Sequence, residues 1–262
     1  MRNRITDVLP EFIRRVCAKQ RLFGRLICLV FVAIMIPSLS DGQILIGMKG
    51  GYDLLLPIGN SNTNPHHDAS LDVEKNSYLL SCFAKERRPG KVINFGGEIQ
   101  YYQANMTGHQ RAGGLGAGTI YDYNFTLNFI TGIFKPEFVF GSKYRFIIKS
   151  GAFISLLVKG DATGTWSTYG PPPYQEGTVD DKASKYFNTL SFGFLGGAGF
   201  ECPLGKRIVF NLSSDGLIGI TRLSKITDQF FNLFSFQITG SLAYKINLKQ
   251  KTGNSIKTDW YE

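Results

Sequence analysis

Few residues in this 262-residue chain are equipped for chemistry. His66 and His67 stand beside Asp68 and could contribute metal ligands. Adjacent histidines diverge, and no third ligand follows at a metal-binding spacing, so a solvated polar segment is the simpler reading. His109 stands alone. The run GGLGAG (113–118) spaces its glycines like a loose phosphate loop, but no helix follows to supply an N-terminus, and a surface loop is expected instead. There is no G-x-S-x-G element, and period-two spacing brings no Ser, His and carboxylate together. Cys82 and Cys202 lie far apart and outside any C-x-x-C or zinc spacing. An enzyme is therefore not expected, and neither a metal nor a cofactor is implied. Recognition is better served. Segment 160–186 carries Trp166, Tyr169, Pro171, Pro172, Pro173 and Tyr174, which offer stackable rings on a stiff, extended stretch. It is the candidate recognition loop.

The elements that must carry these residues are strands. The chain has 30 Gly, 21 Phe, 12 Tyr and 2 Trp, a mixture that suits pleated surfaces, bulges and tight walls. A mean hydropathy of −0.05 excludes a polytopic helical membrane protein but not a membrane barrel, whose alternating strands average to neutral. Of the net charge of +9, much sits in residues 1–42, where seven Lys and Arg face three acids. No basic stripe remains to follow a nucleic-acid backbone.

Residues 26–37, LICLVFVAIMIP, follow Arg14, Arg15, Lys19, Arg21 and Arg25. A basic region, a short apolar core and small residues describe a secretory signal peptide. Twelve apolar residues fall short of the ~20 that a spanning helix needs. Ser40 and Gly42 fit the −3 and −1 positions, so the expected organisation is a signal peptide (1–42), a barrel (43–248) and a periplasmic C-terminal tail (249–262).

Beyond Gln43 the recurring period is two. In 231–248, Phe234, Phe236, Ile238, Leu242 and Tyr244 alternate with Ser235, Gln237, Thr239, Ser241 and Lys245. Such a strand has one face in an apolar medium and one in a polar medium. Eight strands are read: 44–54, 75–85, 91–103, 120–140, 144–158, 187–202, 207–220 and 231–248. Pro136 predicts a bulge or an early end to the fourth. Turns ERRPG, GSK and PLGK are short, and the other connections are long. An even strand count with short turns on one rim and long loops on the other describes an eight-stranded antiparallel up-and-down transmembrane β-barrel of a Gram-negative outer membrane. A lipocalin-like soluble barrel would instead point its apolar face inward. Strand length, and Tyr101, Tyr121, Tyr144 and Tyr244 placed as aromatic girdles, favour the membrane. The polar faces then assemble a lumen charge network of Lys49, Glu98, Arg145, Lys149, Glu201, Asp215 and Lys245. Glu98 and Glu201 could mimic a catalytic carboxylate pair, but across a narrow lumen the cations neutralise them.

The segment FGFLGGAGFECPLGKRIVFNLSSDGLIGITRLSK (192–225) resembles the penultimate hairpin of the PorT-like outer-membrane β-barrel family. IKSGAFISLLVKG (148–160) and IGMKGGYDL (46–54) resemble its central and first strands. Ile220, Thr221 and Arg222 replace the Leu–Thr–Asn run frequent in that family. The resemblance implies a barrel anchored in outer-membrane lipid, with protein partners in the periplasm or at the cell surface and a role in secretion. A structural or interaction protein is the leading expectation, a narrow transport pore the second and a lipid-modifying enzyme the third. The processing expectation is checked by mass spectrometry of the native protein: the mature chain should begin at or near Gln43, and a chain retaining residues 1–25 contradicts the signal peptide.

Overall fold

The computed structural model describes residues 43–58, 67–73, 77–88, 90–114, 116–225 and 232–247. The leader, His66 and the C-terminal tail lie outside these residues. Among the described residues ten strands follow one another: β1 (Gln43–Ile58), β2 (His67–Val73), β3 (Ser77–Arg87), β4 (Ile93–Gly113), β5 (Gly118–Phe140), β6 (Arg145–Tyr169), β7 (Glu176–Lys182), β8 (Leu190–Pro203), β9 (Ile208–Gly219) and β10 (Asn232–Asn247). Eight close a ring in the order β4-β3-β1-β10-β9-β8-β6-β5, with β5 returning to β4. The remaining two, β2 and β7, pair only with the far ends of β4 and β6. The expected up-and-down barrel is present, and two short strands are added outside it.

The outward residues of the ring are apolar. Met48, Phe95, Ile148, Phe194, Ile238 and Leu242 are all substantially exposed, and they belong to a continuous belt. An exposed apolar surface of this extent is not stable in water, and it matches hydrocarbon. On β4 the belt runs from Ile93 to Tyr101, close to the 9–11 residues that a tilted spanning strand requires. Tyr144 and Tyr244 mark its edge near the short turns, and Tyr52, Tyr78 and Tyr101 mark the other. The barrel therefore spans a membrane.

Three expectations are corrected. The connections read as long loops after the third and fifth strands are largely strand. β4 and β5 pair without interruption up to Gly113↔Gly118, and β6 runs on to Tyr169 before turning into β7. These strands rise well beyond the belt as a two-sided extension in water. There the faces reverse: Tyr123, Phe125, Leu127 and Phe129 point inward and Asp122 and Asn124 outward. Tyr121 is accordingly no girdle residue; it stacks on Tyr123 with 5.7 Å between ring centroids. Finally, Pro136 neither ends nor bulges β5. The pairing with β4 passes through Phe95↔Pro136, while the ladder to β6 lapses locally and resumes in the same register. The bulge lies instead at Asn128/Phe129, where the register against β6 shifts.

Closure between β1 and β10 depends on two glycines. A Cβ on Gly47 would press into the Leu242 carbonyl oxygen, and one on Gly51 into that of Ile238. The seam admits no side chain at either position. The purified protein should show sheet without appreciable helix by circular dichroism, and unboiled samples in SDS should migrate differently from boiled ones. Gly51→Val should abolish that heat-modifiable band by preventing closure; recovery of the wild type as a detergent-free soluble monomer contradicts the fold.

Candidate functional site

The lumen fills in layers set by strand alternation. Near the short turns Leu45, Phe83, Val209 and Ala243 form an apolar cluster beside charged residues. The ion network divides into two groups, the second of which reaches the short-turn rim. In the first, Glu98 lies between Lys49 (2.7 Å) and Lys135 (2.5 Å), while Asp215 binds Lys149 (2.9 Å) and Lys49 (3.4 Å). In the second, Glu201 receives Arg87 (2.5 Å), Arg145 (3.1 Å) and Lys85 (3.2 Å), and Lys85 also bonds Glu137 (2.9 Å). Except for Arg145, these groups are almost wholly buried. Burial in a low-dielectric interior makes each partner obligatory, since an uncompensated charge there is far costlier than on the surface.

Of the seven residues expected in this network, six take part. Lys245 does not: it sits half-buried at the short-turn rim and joins no carboxylate among the described residues. Alternation along β10 placed it on the inner face, but so near the strand end that it emerges into the mouth. Four members were missed. Lys85 closes the strand read at 75–85, and Arg87 falls in ERRPG, read as a turn, whereas β3 runs on to Arg87. Lys135 and Glu137 flank Pro136, which masked a period-two pattern continuing from Thr131 and Ile133.

Toward the other rim, Asp53 accepts hydrogen bonds from Ser235 and, at 3.4 Å, from Gln237. Thr131 and Ser155 share a hydrogen bond of 2.7 Å, and Ser213 and Thr239 one of 2.8 Å. An apolar plug then closes the barrel. Tyr102, Met106, Phe125, Leu127 and Phe129 from the strands surround Ala183, Phe187 and Leu223 from the two outer connections. Phe187 bridges Ser224, and Asn188 N–H donates to Leu223 O at 2.8 Å, so residues 183–188 and 223–225 fold over the mouth. Lys185 and the Tyr186 hydroxyl donate to Asp181 Oδ2 at 2.8 and 2.9 Å. Both bonds hold the Asp181 carboxyl below the usual carboxylate range, while partial burial and the bond to Asp181 push the Tyr186 hydroxyl up.

The candidate recognition loop is a hairpin, and two of its three rings are engaged. Trp166 lies on the inner face opposite Gly177, where a Cβ would come within 2.7 Å of the indole nitrogen. The Tyr169 hydroxyl donates to Gly114 O and accepts from Arg111 Nε, both at 3.1 Å, and the Arg111 guanidinium sits 4.5 Å from the ring centre. This joins the β6–β7 hairpin to the β4–β5 tip. Tyr174 alone is fully available, at 70% exposure. The GGLGAG run is that β4–β5 tip, where Gly114 N–H donates to Ala117 O at 3.0 Å.

The strand register does set a serine, a histidine and a carboxylate abreast: Ser70↔His109 and His109↔Asp122. His109 Nδ1 lies 2.7 Å from Asp122 Oδ1. Spacing along one strand could not reveal a row assembled across three. Both side chains are broadly exposed on the outer face of the extension, without the water-excluding cleft that nucleophilic catalysis needs. Among the described residues no group of three metal-ligating side chains occurs.

No family model matches the chain, and no curated protein matches it. Among solved structures it is similar to the outer membrane protein OprG from Pseudomonas aeruginosa, at 13% identity and a TM-score of 0.37, over 79% of this chain and 97% of that one. Ail, the attachment invasion locus protein of Yersinia pestis, matches at 12% identity and a TM-score of 0.36, over 79% and 100%. Neisserial surface protein A matches at 11% identity and 0.33, over 79% and 99%. At these scores the fold assignment rests on the closed ring itself.

Glu98→Gln removes the anion between Lys49 and Lys135 and should destabilise the barrel by ~3–5 kcal/mol, read by urea unfolding from micelles. Lys159→Gln breaks the exposed Lys159–Asp161 pair and should leave the midpoint unchanged.

Proposed function

We propose that this is a non-enzymatic outer-membrane protein whose role is structural or interactive: a sealed barrel serves as an anchor, and the raised hairpins present a surface to protein partners. The carrying observation is the filled lumen, with buried ion pairs beneath an apolar plug, beside strands prolonged far past the lipid belt. A channel needs an open axis, and eight strands enclose an interior just wide enough for side chains. Prolonged strands serve no anchoring purpose, which supports a role for the exposed hairpins. The short turns and both ends of the described chain then face the periplasm, the long hairpins the exterior. Membership of the PorT-like family, and with it a place in a secretion assembly, is supported by the segments 192–225, 148–160 and 46–54.

Planar-bilayer recording separates this from a pore: no stable conductance at the level of a general diffusion porin is expected, and such conductance would replace the anchor reading. A photo-crosslinking residue at Tyr174 in native membranes should yield protein adducts, while one at the lipid-facing Phe194 should not; equal adducts from both sites would remove the hairpin from the interaction.

A further inference from the structure

The lumen opens at the short-turn rim into a cleft of about 180 Å³. Arg87, Lys143, Arg145, Lys206 and Lys245 line it, with a single carboxylate, Glu201. That carboxylate is already offset by Arg87, Arg145 and, from deeper in the lumen, Lys85. Neither Lys206 nor Lys245 joins a carboxylate among the described residues, and Lys143 rests 5.4 Å from the Tyr144 ring centre. The cleft thus carries a clear surplus of positive charge.

Arg87 gives that surplus a direction. Its side chain is only 6% exposed and bonds Glu201 through Nη2. Its Nε and Nη1 are buried and have no hydrogen-bond partner among the described residues. Guanidinium donors taken out of water require acceptors, and their planar fork fits oxyanions. Arg145 is fixed in turn, its Nε donating to Ser142 O at 3.0 Å while Nη1 holds Glu201. Two guanidinium groups held by hydrogen bonds and three lysines converge on one volume.

We propose that this cleft binds a phosphate group. A tetrahedral dianion accepts hydrogen bonds from several directions at once, as cations on opposing walls demand, whereas a single planar carboxylate would leave part of the surplus uncompensated. Cleavage after Gly42 would add a further cation, the new α-amino group of Gln43, which lines the same cleft. A phosphate can arrive free in the surrounding water or as a lipid headgroup reaching over the rim.

The test uses the full mature protein folded in phosphate-free glycoside micelles and calorimetric titration with inorganic phosphate, then with micelles doped with short-chain phosphatidate. Saturable one-site binding is expected. Saturation by inorganic phosphate assigns a free phosphate; saturation by phosphatidate alone assigns the headgroup. Arg87→Gln should weaken binding by at least about tenfold, and Lys159→Gln, far from the cleft, should leave it unchanged. Should Arg87→Gln lose its heat-modifiable band, the double variant Lys143→Gln/Lys206→Gln, confined to exposed turns, carries the comparison and should weaken binding severalfold. Absence of saturable binding by either probe, or binding indifferent to these variants in a folded barrel, overturns the proposal.

Discussion

Hydrocarbon offers no partner to a peptide N–H or C=O, and the rest of this structure depends on that constraint. A sheet within a bilayer must close, because an open edge would leave a row of backbone groups unsatisfied. In an up-and-down ring, closure with antiparallel neighbours throughout requires an even strand number, and here it brings the first and last strands together at a narrow glycine-lined seam. It also explains why Pro136 is accommodated rather than excluded. The ladder to β4 is complete beside it, and the missing donor costs only a local lapse toward β6.

Closure leaves two faces, and the solvent on each decides the sequence. Below the belt edge of β5 the even-numbered residues Ile130 and Phe134 face lipid, while Thr131, Lys135 and Glu137 face the lumen. Above it the apolar residues become odd-numbered, from Phe129 back to Tyr123, because lipid gives way to water outside and the plug occupies the inside. The strand does not turn over; its surroundings do. This is why the sequence is legible for β6, β8, β9 and β10 within the membrane yet misleading for the first half of β5. The period was correct there and the face was not. The change of parity at Phe129 and Ile130 was the available signal.

The ion pairs were legible as a set of inward charges but not as pairs. Lys49 and Asp215 meet although 166 residues apart, and Lys85 and Glu137 although 52 apart. Which cation meets which carboxylate depends on strand tilt and side-chain reach across the lumen, and neither is written in local alternation. The arrangement contributes to specificity as well as to filling. A strand apolar on both faces could slip by one residue with little penalty, whereas here a slip would drive Lys49 or Glu98 into lipid. Three of the four members that escaped notice, Lys85, Arg87 and Lys135, bond carboxylates that did not.

The latch between Tyr169, Arg111 and Gly114 has a mechanical consequence. It joins the tip of the β4–β5 hairpin, whose ladder runs unbroken from the barrel wall, to the β6–β7 hairpin, whose long strand β6 stays paired with β5 on both sides of the bulge at Asn128/Phe129. From Ile130 to Gly118, β5 climbs roughly 30 Å past the lipid belt at about 3.3 Å per residue and the usual barrel tilt. That is several times the depth of one headgroup layer. With its summit tied, this projection behaves as a stiff mast rather than a tether. Tyr174 is carried at a fixed standoff from the bilayer, and force applied at the summit passes directly into the barrel wall.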